Sequence, residues 1–448
     1  MLMLLGFIIL LSCLIVGVRR GGLGLAAVSG IGLIVFIFVL GFKPGKAPVD
    51  VMLTIMAVVT CSGFLQASKG LDVMLKYAEK FLRSNPKYIT ILAPITTWFL
   101  TVLCGTGHVV YAMFPIIYDI AIKENIRPER PMASASVASQ MGVCASPASV
   151  AVVSVVAILA ATTHPFGVVQ ILAISIPASF CGALAAGLWS LNRGKDLDQD
   201  PAFLAKIADP EQKAFIYGEY ADAKLSDIKL PSAAYRAAGI FLLGILIIAI
   251  FGSFPELLPK IPNAKGVLKP LSMTPTIQLL MLAIAATIML SCNVKSSDVA
   301  SGSVFKSGMV AIVSVFGVAW MADTYFSAYI PTMKKTLSAV VLSYPWLYAA
   351  VLFLVSKLIN SQAAAVAVIV PMALSVGVDP LIIVSFMPAC YGYFILPTYP
   401  SDLACIGFDR SGTTRIGSFI INHSFIMPGL IGVTTGCVVG YALAHLIY

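Results

Sequence analysis

Four short polar breaks interrupt an otherwise apolar chain, and their residue types suit the capture of an anion. They are Gly105-Thr106-Gly107-His108, Ser146-Pro147-Ala148-Ser149, Asn360-Ser361-Gln362 and Pro397-Thr398-Tyr399-Pro400-Ser401-Asp402. Each holds small or hydroxylic residues that let a ligand come close to the backbone. Where a helix restarts, its first N–H groups lack intrahelical acceptors and its end carries about half a positive charge. Such ends hold anions. One break alone reads most simply as a packing kink, but four at paired positions read as a binding site. The expected contacts are Thr106, Gly107, His108, Ser146, Pro147, Ser149, Asn360, Ser361, Gln362, Pro397, Thr398 and Ser401.

Charged residues inside apolar runs are few. Lys357 stands three residues before Asn360, and Asp402 closes the fourth break. Ionisable groups at membrane depth are functional candidates by default. Here they are expected to tune charge or gate the site. Their structural alternatives are a snorkelling lysine and a helix-capping aspartate. His108 either donates to a carboxylate or titrates near neutral pH, or is a structurally satisfied histidine. Asp323 ends a span and reads as interfacial, and His423 reads as structural. Glu79 and Arg83 form an i,i+4 pair and, with Arg127 and Arg130, are further charge-tuning or gating candidates. Arg127 and Arg130 in "IRPERP" are either topology signals or attractors of anions toward a vestibule.

The elements that must position these residues follow from composition. The chain has 448 residues, 59% hydrophobic and 11% charged, against roughly 25% charged in soluble domains. Repeated runs near 18 apolar residues predict an all-α polytopic membrane protein. Leu2 to Val18 lacks a basic region before it and an A-x-A site after it, so it reads as a retained span. The nine cysteines fall singly, with no metal spacing and no disulfide framework. No H-E-x-x-H, P-loop or triad spacing supports an enzyme. The net charge of +9 reports membrane topology before it suggests nucleic acid.

Spans are expected near 2–18, 23–41, 49–66, 132–161, 166–191, 237–254, 274–292, 303–322, 380–406 and 417–446. "GLDVMLKYAEKFLR" predicts a surface-lying amphipathic helix, with Leu71, Met74, Leu75, Ala78, Phe81 and Leu82 inward and Asp72, Lys76, Glu79, Lys80 and Arg83 outward. A weaker amphipathic piece carries Met333, Leu337, Val340 and Val341. Segments 88–122 and 346–378 are longer than one span, with polar centres. Arms of about 14 residues reach roughly 21 Å at 1.5 Å per residue, short of the roughly 30 Å hydrocarbon core. Each segment therefore reads as a re-entrant helical hairpin whose tip stops near mid-membrane, inside protein or beside water.

With the N-terminus outside, 21 Lys and Arg residues fall on cytoplasmic loops and 7 outside, with Lys357 in a hairpin, of the 29 present. Both termini are then periplasmic. Five crossings per half make the second half inverted relative to the first. Residues 1–192 form the first repeat (hairpin 88–122, broken span 132–161). Residues 193–236 form a cytoplasmic connector, and residues 237–448 form the second repeat (hairpin 346–378, broken span 380–406). Thr106 and Pro115 match Gln362 and Pro371 at an offset of 256, and Gly142 and Pro147 match Gly392 and Pro397 at 250. Inverted repeats with paired broken helices mark secondary transporters, and suit a closed site better than a continuous pore.

The stretches "PGKAPVDVML", "LQASKGLDVMLKYAEKFLRSNPKY", "CGTGHVVY", "PIIYDIAIKENIRPERPMA", "LVSKLINSQAAA", "PACYGYFILPTYPSDLACIGFDRSGTT" and "INHSFIMPGLIGV" closely resemble the anaerobic four-carbon dicarboxylate uptake (Dcu) transporters of bacteria. The match runs in order over the full chain. The resemblance implies an inner-membrane exchanger that takes in fumarate, malate or aspartate and exports succinate during anaerobic respiration. It also implies a homodimer in which a transport domain moves past a scaffold, as in an elevator. In some relatives it implies contact with a dicarboxylate-sensing histidine kinase. No cofactor is expected. Sodium-coupled relatives of the superfamily often carry Ser-Asn-Thr at both tips, whereas this chain has Gly-Thr-Gly-His and Asn-Ser-Gln. That departure argues against bound sodium and for exchange; the alternatives are a sodium- or proton-coupled symporter of organic anions, or a dicarboxylate-sensing co-regulator.

Overall fold

The computed structural model describes residues 2–162, 166–218, 229–262, 268–397, 399–418 and 421–448; the predicted contact Thr398 lies outside them. Eight helices among the described residues are long and apolar enough to cross a membrane, and shorter apolar helices include Trp346–Ile359 and Gln362–Ser375. The chain is a multi-pass helical membrane protein. Strands Lys260–Pro262 and Leu268–Pro270 form one short antiparallel pair outside the helices.

The helices pack as two groups. Leu2–Arg19, Gly21–Ile34, Val49–Ala67, Ser232–Ser253, Met273–Cys292 and Ser303–Ser343 pack on one another. Ile89–Cys104, Glu129–Met141, Val168–Ser190 and Ile426–Ile447 form the heart of the second group. The seam between them runs chiefly along Ser303–Ser343 against Gln362–Ser375 and along Val49–Ala67 against Val150–Leu159. Close helix approach in the second group depends on small residues: an added Cβ at Gly182 would strike Gly432 O, and one at Gly440 would strike Ser385 O. Small residues at such crossings are the usual packing device where lipid removes a hydrophobic drive.

Both long segments are interrupted helices with the same local geometry. Ile89–Cys104 ends at Gly105 with φ +76°, and Trp346–Ile359 ends at Asn360 with φ +54°. Glycine and asparagine are the residues that adopt this left-handed cap at least cost. Gly105 N–H donates to Thr101 O and Asn360 N–H to Ser356 O, both at 2.8 Å. The next residue is extended in each case, and its hydroxyl caps the following helix. Thr106 Oγ1 accepts from His108 N–H, and Ser361 Oγ accepts from Ala364 N–H, each at 3.3 Å. The structural partners are thus Gly105 with Asn360 and Thr106 with Ser361, one residue away from the expected pairing of Thr106 with Gln362. The roles that match are left-handed cap and hydroxyl cap.

The two broken spans also share a device. Glu129–Met141 leads into a 3₁₀ turn at Gly142–Ala145, and helix Val150–Leu159 follows. Pro380–Ser385 leads into turns at Met387–Cys390 and Tyr393–Ile395 before Pro400–Phe408. An added Cβ at Gly142 would lie 2.7 Å from Trp98 O, and one at Gly392 would strike Phe353 O. Each glycine lets the first arm of its own long segment press against the break.

Several expected boundaries shift. The connector ends earlier, because helix Ser232–Ser253 begins before residue 237. The connector itself contains helices Pro201–Ile207 and Pro210–Tyr217, and it buries Leu197, Phe203 and Ile216 against the body. The amphipathic piece after residue 322 is no separate element: Ser303–Ser343 is one helix of 41 residues. The side chains of Met333, Leu337, Val340 and Val341 lie outside the described set. The last helix starts at Ile426; before it the described residues 409–418 and 421–425 are non-helical, with Ile416 and His423 bridged. Gly70–Ser84 is helical as expected, but Glu79 is fully buried while Phe81 is exposed. Arg83 Nε binds Glu79 Oε1 at 2.8 Å and Arg83 Nη1 binds Asp119 Oδ2 at 2.9 Å, so Glu79 points into the protein with its charge paired.

Candidate functional site

Both helix breaks open on one cavity of about 490 Å³. Thr106, Gly107 and His108 line it from the first break, and Asn360, Ser361 and Gln362 from the second. Ser62, Val304, Gly308 and Ser314 close it from the other helix group, so it lies in the seam. A second cavity of about 240 Å³ lies further along the seam, beside Asp50, Asp323 and Pro371. Asp323 Oδ2 accepts from Lys46 N–H at 2.6 Å there.

The other predicted contacts stand behind the wall. Ser146 and Ser149 are fully buried and cap their own turn, accepting from Ala148 N–H at 3.1 Å and Val152 N–H at 3.2 Å. Pro147 and Pro397 are buried outside the lining. Ser401 Oγ accepts from Ser136 Oγ at 3.4 Å. Asp402 Oδ1 accepts from the same hydroxyl at 2.9 Å, while its buried Oδ2 has no hydrogen-bond partner among the described residues. Lys357 Nζ donates to Asn360 Oδ1 at 3.2 Å and to Tyr393 O and Leu396 O at 3.0 Å, tying the second tip to the broken span. His108 lines the cavity with its ring stacked on Tyr111, centroids 5.7 Å apart. His423 is buried; its Nδ1 accepts from Phe425 N–H, leaving Nε2–H for Ile395 O at 3.0 Å.

Sequence reading missed the wall residues Gln140 and Tyr393, as well as Ser62 and Ser314 from the other helix group; Tyr399 lies in the fourth break but is not among the expected contacts. Gln140 precedes the Gly142 turn by two residues, and its amide presses against Gly107. Tyr393 OH donates to Gln140 Oε1 at 2.6 Å, and its ring lies 4.2 Å from that of Tyr399. A lone amide just before a helix break was the available signal for Gln140. Nothing separated Tyr393 from ordinary packing aromatics.

Arg127 and Arg130 are placed away from the cavity, in a clamp on the connector. Arg127 binds Glu129 Oε2 at 2.9 Å and Asp200 Oδ2 at 2.6 Å. Arg130 binds Asp196 Oδ1 at 2.7 Å and Arg193 O at 2.7 Å. Arg193 reaches Glu129 Oε1 at 3.1 Å and also donates to Ser424 O. Partial burial pushes the Asp200 carboxyl up, but the Arg127 guanidinium and the Ala202 N–H outweigh it and hold it below the ordinary carboxylate range. A group lowered in this way stabilises the fold above its unfolded pKa of about 3.9 and stops doing so as pH falls through its folded value. Limited proteolysis should therefore find the connector protected at neutral pH and increasingly cut below about pH 4. Asp200→Asn should be cut more readily at neutral pH; equal protection of both proteins would count against the clamp.

Comparison with known proteins places this architecture. The sequence model described as "Anaerobic c4-dicarboxylate membrane transporter" matches residues 2–448. The anaerobic C4-dicarboxylate transporter DcuB of Escherichia coli O6:H1 is 54% identical over 447 residues, covering 99% of each chain. The C4-dicarboxylate transporter DcuA of Escherichia coli K12 is 36% identical over 438 residues, covering 97% of this chain and 98% of its own. Among solved structures, the YdaH transporter of Alcanivorax borkumensis shares the fold, with a TM-score of 0.57 at 14% identity over 89% of this chain and 85% of that one. The chain therefore belongs to the family of anaerobic C4-dicarboxylate membrane transporters and is a transporter rather than an enzyme.

Proposed function

We propose that the chain exchanges four-carbon dicarboxylates across the bacterial inner membrane, admitting fumarate, malate or aspartate and releasing succinate. The observation that carries this reading is the convergence of two like-built helix breaks on one cavity in the seam. A dicarboxylate has two anionic ends, and the cavity offers two helix N-termini. The first turns after Thr106 and Ser361 leave N–H groups, such as those of Gly107 and of Gln362 and Ala363, without intrahelical acceptors. Thr106, Ser361 and Asn360 add side-chain polarity. No Lys or Arg is among the lining residues, so the helix ends carry the compensation, with Lys357 held just behind the second tip.

Exchange rather than one-way movement follows from desolvation. Empty, the site would carry its unpaired donors through the protein seam, and each buried unpaired polar group costs about 1–3 kcal/mol. Loaded, those donors are satisfied. The matched devices at Gly105 and Asn360, and at Gly142 and Gly392, support two repeats in inverted orientation. Arg127, Arg130 and Arg410 meet the connector, which itself carries Arg193 and Lys206, at one end, which supports that end as cytoplasmic and both termini as periplasmic. Gln66, close to the wall residue Ser62, binds Val304 N–H at 3.0 Å near the end bearing Lys69 and Lys306, so the cavity sits nearer the cytoplasm.

Counterflow in proteoliposomes tests the proposal. Labelled fumarate should accumulate when succinate is trapped inside and should barely enter empty vesicles. Equal uptake into empty vesicles under a sodium gradient would overturn exchange. A proton-coupled symporter is the second reading, favoured by the buried, unpartnered Oδ2 of Asp402; uptake into empty vesicles driven by a pH gradient would select it.

A further inference from the structure

Gln140 is 2% exposed, and its Nε2 has no hydrogen-bond partner among the described residues. That nitrogen faces the cavity wall at Gly107, where an added Cβ would collide with it. A buried amide nitrogen without an acceptor costs free energy unless something supplies one.

Its orientation is fixed by a one-way chain of hydrogen bonds. Gln362 Nε2 donates to the backbone carbonyl of Gln140 at 2.7 Å, an oxygen that can only accept. That settles the Gln362 amide, whose Oε1 accepts from Cys390 Sγ at 3.1 Å. The second Nε2 hydrogen of Gln362 goes to Tyr393 OH at 3.2 Å. Tyr393 must then place its own proton on Gln140 Oε1 at 2.6 Å. That length suits O–H···O and is short for N–H···O. A flipped Gln140 would put two donors on the tyrosine oxygen and leave its proton only Tyr399, which also hydrogen-bonds to Tyr393, so it is the 2.6 Å length that favours the orientation given. The chain therefore ends in buried N–H groups that lie against Gly107 at the cavity wall.

We propose that Gln140 is the specificity residue for one carboxylate of the substrate, with Tyr393 as its positioning residue. This rests on the dicarboxylate reading above and deepens it. Because the fixed end can only donate, it favours a carboxylate, whose two charged oxygens both accept, over a carbamoyl group, which offers one neutral acceptor oxygen and an NH₂ that must be turned away. It also joins the first broken span, the second tip and the second broken span in one recognition unit, so the site is assembled from both halves of the chain.

The test uses the purified full-length protein in proteoliposomes, with fumarate counterflow challenged by succinate or by its monoamide, succinamate. Gln140→Glu keeps the bond from Tyr393 and turns the donor end into an acceptor. Its KM for fumarate should rise about tenfold, and succinamate should gain on succinate as an inhibitor by a similar factor. Tyr393→Phe frees the amide to flip; it should raise KM less and narrow the preference for succinate over succinamate. A structural role alone would change the amount of active protein and leave the inhibitor ratio where it is. Should Gln140→Glu not fold, Tyr393→Phe carries the test through the same ratio. An unchanged ratio in a folded variant overturns the proposal. Failure of the wild-type protein to exchange any four-carbon dicarboxylate would instead overturn the functional reading on which it rests.

Discussion

Transport by a Gly105→Ala variant is expected to fall at least about tenfold, with the protein still folded in the membrane. The left-handed backbone at φ +76° costs an alanine about 1–2 kcal/mol. The second effect is larger and steric. The new Cβ would strike the backbone carbonyl of Ala148, which cannot swing aside as a flexible side chain would. The first tip must then lift off the Ser146-to-Ser149 turn, carrying Thr106 and Gly107 away from Gln140. Gly105→Asn separates the two causes. Asparagine tolerates the left-handed region, yet its Cβ meets the same carbonyl, so it should fail too. Asn360→Gly keeps the equivalent conformation at the second tip, so it should lose only what its side chain gives the cavity and Lys357 and fall less than Gly105→Ala. Initial rates of counterflow, normalised to protein in the vesicle, report all three. Wild-type rates in Gly105→Ala would mean that the first tip is not held as described.

The largest stability effect is expected at Glu129, which no transport argument requires. Its carboxylate is 7% exposed as a residue and is held by Arg127 Nε at 2.9 Å, Arg193 Nη2 at 3.1 Å and Ser424 Oγ at 2.7 Å. Glu129 N–H also donates to Thr413 Oγ1 at 3.1 Å, and Thr413 in turn donates to Asp409 Oδ2 at 2.8 Å. Glu129 thus joins the start of the first broken span, the connector and the segment that holds Thr413 and Ser424. Breaking a buried pair by removing one partner costs about 3–5 kcal/mol, because the remaining charge loses its compensation. Glu129→Ala should lower thermal stability in detergent clearly and expose the connector to protease. Glu129→Gln, which keeps the shape and a partial set of bonds, should fall between. A Glu129→Ala protein as stable as wild type would show that the clamp contributes nothing.

Both long segments and both broken spans were legible in the sequence for one reason. In a chain this apolar, a hydroxyl, amide or glycine at mid-membrane depth has few roles other than ending a helix or meeting a ligand. That logic located Thr106, Gly107, Asn360, Ser361 and Gln362 on the cavity. It also over-reached. Ser146, Ser149 and Ser401 have the same residue types but serve their own turns and neighbours, and which serine faces a cavity depends on how the turns stack. Tertiary partners hid the rest. Glu79 looked solvent-facing on its helix because Asp119, which shares Arg83 with it, is 40 residues away. Arg127 and Arg130 looked available to a passing anion because Asp200 and Asp196 lie in a connector with no strong pattern. Gln140 carries no local mark beyond its place before a break, and its significance comes from Tyr393 and Gln362 on the other half of the chain.

A structure determined with bound fumarate tests the central claim most directly. Density for the ligand is expected in the 490 Å³ cavity, one carboxylate against Thr106–His108 and Gln140, the other against Ser361–Ala363. Fumarate bound instead in the 240 Å³ cavity beside Asp50 and Asp323, with the space between the two breaks empty, would contradict it.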